Sequence, residues 1–451
     1  MKRVAIALSI ALVALAAGCG GGSSSDEPNT AGPAASTDKT PVTITLRHPW
    51  TGDEKKLFEE SLAGFQTKYP WITVKAVGYP DSDTFDQQIV IKTINAGNPP
   101  DAFLSFGPDY VGQYCANDLW QDLTPFMQGD NLSIDSFAPA AVTYTNFDDK
   151  QCALPSLTDA YGLYYNKDLF AKAGLTEPPK TMTELMDYAK KLTQKNADGS
   201  IKVAGFVPMQ DWGQLGIADL ARSWGASYFD DSGNPQIGSG PGWPEAFTWQ
   251  KDLIDWYGYD NILKFYGAYN NDEFSAQNAF QTGKVAMMFD GEWRTAFIKR
   301  EAPDLNYATA FMPVADDQPD LYGSARVGGT IVGVPKGSPH PEQAWLLVKY
   351  LSADPAYLVA MANAVGNVPT TEESATAATF ENTPQFQTFI DVWNNPKSSF
   401  SPPLTPTGAG YNDLLEDFVG EWQAGKVDDL QAGLEDVDKK IADSLALGNA
   451  P

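Results

Sequence analysis

"PVTITLRHPWTGDEKKLFEESLAGFQTKYPWITVKAV", Pro41 to Val77, decides the fold class. Val42, Ile44 and Leu46 alternate with polar residues, the period of a half-buried strand. Phe58, Leu62 and Phe65 recur at helical spacing, and "WITVKAV" returns to strand character. The rhythm continues outward. "DTFDQQIVIKTINAG" predicts a helix closed by Gly97, and "PPDAFLSF" a strand entered from prolines. Strand–helix alternation implies an α/β fold with a parallel or mixed sheet covered by helices. Such sheets take ligands at the carboxyl ends of their strands, so the loops after Leu46 and Leu104 come first.

Further along, "TMTELMDYAKKLTQ" is a helix opened by a capping box from Thr181 to Glu184. "EFSAQNAFQTGKVAMMFDGEW" predicts a helix, a turn at Gly283 and a strand running into a loop. "GGTIVGVP" predicts another strand. The remainder is mostly helical, from "PEQAWLLVKYLS" to "LQAGLEDVDKKIADSLAL".

The 451 residues suffice for two or three domains. A net charge of −26 repels phosphate backbones, so no nucleic acid is expected as a partner. The histidines, His48 and His340, are too few for His-based triads or His-rich metal sites. The sequence has no GxSxG elbow, HExxH, Walker A loop or fitting dinucleotide fingerprint.

At the N-terminus, Lys2 and Arg3 precede "VAIALSIALVALAAG", an apolar run of 15 residues. A membrane-spanning helix needs about 20, so the layout is that of a signal peptide over 1–18. Ala16, Ala17 and Gly18 lead into Cys19, which resembles a bacterial lipobox. That resemblance implies cleavage, lipidation of Cys19 and an anchor on the outer, extracytoplasmic face of the cell membrane. Residues 19–40, rich in Gly, Ser, Ala and Pro, read as a flexible tether. Cys115 and Cys152 remain. Outside the reducing cytosol they fit a disulfide, and two free buried thiols are the other reading.

Five segments, in order, carry a resemblance across almost the whole mature chain. They are "FEESLAGFQTKYPWITVKAV", "IVIKTINAGNPPDAFLS", "LPSLTDAYGLYYNKDLFAKAGLTEPPKTMTELMDYAKKLT", "AFQTGKVAMMFDGEW" and "VGGTIVGVPKGSPHPEQAWLLVKYLS". With the lipobox, they make the chain similar to the extracellular solute-binding lipoproteins of ABC sugar importers, the maltose-binding-protein-like family. The resemblance implies a two-lobed, periplasmic-binding-protein-like fold with discontinuous lobes and a central ligand cleft. Lobe I is expected at 41–155 and 333–378, and lobe II at 156–332 and 379–448. Crossings between them are expected near Leu154–Asp159, Val327–Val332 and Thr376–Asn382.

It implies reversible binding of a carbohydrate, a di- or oligosaccharide, by a monomer that delivers it to a permease pair with a cytoplasmic ATPase. This role requires neither catalysis nor a cofactor. The alternatives are a binder of a sugar phosphate or other small anion and a secreted glycoside hydrolase, which would need two carboxylates at a set separation.

Sugars offer flat C–H faces to aromatic rings and hydroxyls to polar side chains, so a site needs both types converging from loops. "RHPWTGDE" supplies Trp50, Thr51 and Asp53, with Asp53 as helix cap the structural reading. "SFGPDY" supplies Ser105 and Phe106. "LTDAYGLYYN" supplies Asp159 and Tyr161, which resemble the family's hinge contacts. "PMQDWG" supplies Asp211 and Trp212. In "FDGEWR", Asp290 turns the chain and Trp293 is the stacking platform that the resemblance implies. "SARVGGT" supplies Arg326, Gly328 and Gly329, and "VGNVPT" adds Asn367.

Overall fold

In the computed structural model, residues 38–78, 87–214, 216–270, 274–377, 383–400 and 403–448 are described. The signal segment 1–18, Cys19, the tether up to residue 37 and most of the expected third crossing (378–382) lie outside the described residues.

The strands are β1 Val42–His48, β2 Ile72–Gly78, β3 Ala102–Ser105, β4 Leu154–Asn166, β5 Gln194–Lys195 and β6 Ile201–Val203. They continue as β7 Met287–Gly291, β8 Tyr307–Ala310, β9 Arg326–Gly333, β10 Val368–Pro369 and β11 Ser399–Phe400. β5 and β6 form a separate ribbon, and the rest join one mixed sheet whose main path is β10-β4-β9-β3-β1-β2, with β7 and β8 paired to β4 and β11 paired to β9. β1 pairs in parallel with both β2 and β3, whereas β9 runs antiparallel to β3 and β4.

β4 organises the sheet. Its first half pairs with β9 and β10, with Leu154 opposite Val332 and Ala160 opposite Val327. Its second half pairs with β7 and β8, with Tyr161 opposite Gly291 and Asn166 opposite Tyr307. The first half is pinned by side chains as well. Ser156 Oγ donates to Leu351 O at 2.6 Å, and Thr158 Oγ1 donates to Val368 O at 2.9 Å.

Buried apolar side chains divide accordingly. One core includes Leu46, Phe58, Phe65, Leu104, Leu154 and Leu157 with Trp345 and Tyr357 of the following helices. A satellite cluster around Phe103, Trp120, Tyr144 and Val327 adjoins it. The largest core runs from Ala160 through Tyr164, Phe206, Trp243 and Phe289 to Leu434 and Ile441. The change falls between Leu157 and Ala160, inside β4.

The helix Gly52–Lys68 buries Phe58, Leu62 and Phe65, the residues whose spacing predicted it. Its cap position is Thr51, which makes no side-chain cap bond, and Asp53 lies in the first turn. The capping box at Thr181 and Glu184 forms as expected. The helix expected across Glu273–Gly283 does not: Phe274 to Lys284 are turns. Asn278 Oδ1 accepts from the amides of Phe280 at 2.9 Å and Gln281 at 3.3 Å, a local bond that competes with helix.

Cys115 and Cys152 form a disulfide across a sequence separation of 37, with their Cα atoms 5.6 Å apart. It fastens the helix Val111–Ala116 to the chain entering β4. Closing a loop of this length is worth about 2–4 kcal/mol. Replacing both cysteines by serine is therefore expected to lower unfolding stability by about that amount in urea titration. Reduction of the native protein should reproduce the loss.

Candidate functional site

Where β4 passes from one core to the other, aromatic and ionisable side chains gather. Tyr161, the first residue of its second half, meets Trp293 edge-on, with ring centroids 5.5 Å apart at 89°. Gly291 permits this corner. A Cβ there would sit 2.1 Å from the Trp293 ring, so any other residue would displace the indole. The Arg326 guanidinium lies over the other aromatic neighbour, 3.9 Å from the centroid of Tyr161. Its Nε is 3.1 Å from Asp219 Oδ1.

Asp159 and Glu292 converge on Asn367. Asn367 Nδ2 donates to Asp159 Oδ1 at 2.6 Å and to Glu292 Oε1 at 2.8 Å. Glu292 Oε2 accepts from the Ala160 amide at 2.7 Å. Burial pushes the Asp159 carboxyl up to about 7; Arg326 opposes the shift and Glu54 adds to it. Burial, then the charge of Asp159, holds Glu292 well above the carboxylate range. Burial also pushes Glu54 up to about 6 against the pull of Arg300 and Arg294. Asp109 is pushed up to about 6 by burial, and Glu416 to about 7 by burial and then Asp211. For Arg326, burial works against the charge, but Asp219, Tyr161 and Asp159 more than offset it, so its pKa is raised. Burial is the leading cause in each of these carboxyls.

The expected contacts separate into three groups. Asp159, Tyr161, Trp293 and Arg326 come together at this junction, with Trp293, Asp159 and Arg326 half-buried. Thr51, Asp53 and Asp211 are exposed. The others, like Tyr161, are buried in this structure. Asp290 is fully buried: its Oδ2 accepts from Arg294 Nε at 2.6 Å and its Oδ1 from the Gly291 amide at 2.8 Å. Trp212 packs inside the largest core against Phe265 and Tyr266. Trp50 is buried on Phe58, 4.3 Å between centroids, and leaves the neighbouring Phe106 exposed. Ser105 is buried and accepts from the Gly107 amide. Gly328 and Gly329 are buried in the ladder opposite Asp159 and Thr158.

The sequence reading passed over Glu292, Asp219, Glu54 and Asp109. The acid beside Trp293 was the available signal for Glu292, and the spacing of four between Asp290 and Arg294 the signal that Asp290 is a structural ion pair. A cavity of about 530 Å³ is lined by Thr295, Ala296 and Gly366 among others, and by none of the residues gathered at the junction. Among the described residues no cluster is placed to hold a metal ion.

The structure predicts a pH signature. Asp159 has a folded pKa above the unfolded value of about 4, so its contribution to stability is complete below about pH 4 and is lost as pH rises through about 7. Asp159→Asn retains the oxygen that accepts from Asn367 and cannot ionise. Its melting temperature should fall less than that of the native protein between about pH 4 and about pH 8, as read by thermal unfolding.

Residues 60–388 match the family model for the bacterial extracellular solute-binding protein. The chain is 23% identical over 341 residues to a maltotriose-binding protein of Pyrococcus abyssi, covering 76% of this chain and 69% of that one. It is 24% identical over 367 residues to a maltooligosaccharide ABC transporter solute-binding lipoprotein of Streptococcus pneumoniae, covering 78% and 77%. Among solved structures, CpMnBP1 with mannotriose bound superposes with a TM-score of 0.80 at 27% identity, over 89% of this chain and 100% of that one.

Proposed function

Because the chain belongs to the bacterial extracellular solute-binding protein family, with its two-lobed fold, we propose that it captures a di- or oligosaccharide reversibly in the cleft and hands it to an ABC permease. The observation that carries this reading is the junction inside β4. Two aromatic rings, Tyr161 and Trp293, stand beside Asp159, Asn367 and Arg326, the pairing of flat apolar faces and hydrogen-bonding groups that a sugar requires. The Trp293 Nε1 makes no protein hydrogen bond among the described residues, which leaves a donor for a hydroxyl.

Relatives named for maltotriose, maltooligosaccharide and mannotriose support a neutral ligand of two or more sugar units. A sugar phosphate fits less well. Its charge would meet Asp159, Glu54 and Asp109, while Arg326 is already engaged by Asp219.

We place lobe I at 41–155 and 333–378 and lobe II at 156–332 and 379–448; the change of core within β4, between Leu157 and Ala160, falls a few residues beyond the first of these boundaries. The reading extends to a monomer tethered by lipid on Cys19. It is supported by the signal-like segment before that cysteine and by the lipoprotein among the relatives. Stable anchoring needs more than one acyl chain. Cys19→Ala should abolish incorporation of labelled fatty acid and move the protein from membranes to the soluble fraction.

Calorimetric titration with maltotriose and mannotriose tests the ligand class. Trp293→Ala is expected to weaken binding of the preferred sugar at least about tenfold, about 1.4 kcal/mol, with the unfolding transition preserved. Unchanged affinity would remove Trp293 from the site.

A further inference from the structure

Asn367 sits between the two cores. It follows the helix Pro355–Val365, whose Leu358, Met361 and Val365 belong to the core of β1 and β3. The partner that it grips, Glu292, follows β7, whose Phe289 belongs to the core on the other side. Contact there is close: a Cβ on Gly366, which has φ +82°, would come 3.1 Å from Ala296 Cβ and 3.4 Å from Trp293 Cα. The Gly366–Asn367 corner therefore rests directly on the start of the helix that carries Trp293.

We propose that Asn367 is a positioning residue of the ligand site. By giving its amide to both Asp159 and Glu292, it holds the Glu292–Trp293 corner against β4 and clasps the two cores at that point. This builds on the carbohydrate reading only for its ligand. The two carboxyls touch one nitrogen, at 2.6 and 2.8 Å, so their oxygens are close neighbours. Like charges at that range cannot both be ionised cheaply in a buried place, and the pair keeps a proton.

The surroundings do not relieve it. Glu54, Tyr144, Tyr161 and Tyr164 act on the pair with negative charge or none, and Arg294 is taken up by Asp290. Arg326 is the cation acting on Asp159, and it is shared with Asp219. The clasp thus depends on a neutral donor at position 367.

Asn367→Asp replaces that donor by a third carboxyl of the same shape, which must be protonated for the corner to close. Affinity for maltotriose and mannotriose is expected to fall at least about tenfold at about pH 8 and to return to within about threefold of the native protein at about pH 5. Asn367→Ala removes the donor and adds no charge, so its loss should be similar at both pH values. Without ligand, the melting-temperature gap between the native protein and Asn367→Asp should widen from pH 5 to pH 8. Native-like affinity of Asn367→Asp at both pH values, or an equal loss at both, overturns the clasp. If the native protein binds neither sugar, the carbohydrate reading fails, and a gap that does not change with pH then overturns the clasp by itself.

Discussion

One strand serves two cores, and the rest of the structure depends on it. β4 is 13 residues long and buried along almost its entire length, so every backbone group has to find a partner inside protein. It does so by exchanging neighbours midway, from β9 and β10 to β7 and β8. The two cores are therefore joined within β4 at the point where its neighbours change. Ser156 and Thr158 lock the strand to one side through their hydroxyls, and Asp159 and Tyr161 come just after that lock. The side chains that sense both cores are those at the exchange point, which is why aromatic and ionisable groups collect there.

The electrostatics follow from the same constraint. A short stretch between two cores is largely shielded from water, and carboxyls placed there lose hydration. Asp159, Glu292, Glu54 and Asp109 all respond in the same direction, and burial leads in each. A neutral polyol that donates hydroxyls to such groups restores part of the lost hydration without introducing a net charge. Arg326 has the opposite task. Held by Asp219 and stacked on Tyr161, it limits the negative potential and stiffens the ring. The disulfide stabilises the same region from outside by fixing the chain just before β4.

Much of the fold was legible because its signals are local. The periodicity around Phe58, the Thr181–Glu184 capping box and the alternation in β1 each report a neighbour within a few residues. The site was less legible. "FDGEW" presents two acids on either side of a glycine, and only the fold decides that Asp290 turns inward to Arg294 while Glu292 reaches Ala160 and Asn367. Trp50 and Trp212 had the composition of a binding loop, yet neighbouring aromatics drew both inside. The turns after Phe274 failed as a helix because Asn278 offered its own side chain to the backbone, a competition that hydrophobic spacing does not register.

A receptor that must release its cargo has to balance two terms: contacts made only when both cores touch the ligand, and the free energy of bringing the cores together. A ligand shifts such an equilibrium only by its differential affinity for the closed form. Protein contacts that already bridge the cores, such as the Asn367 grip on Asp159 and Glu292, lower the part of closure that the ligand has to supply. They also raise the population of the closed form without ligand. A bridge in which two carboxyls share one amide and keep a proton between them is suited to that compromise. Its attraction is charge-assisted, and it weakens once the shared proton is lost and both carboxyls carry charge.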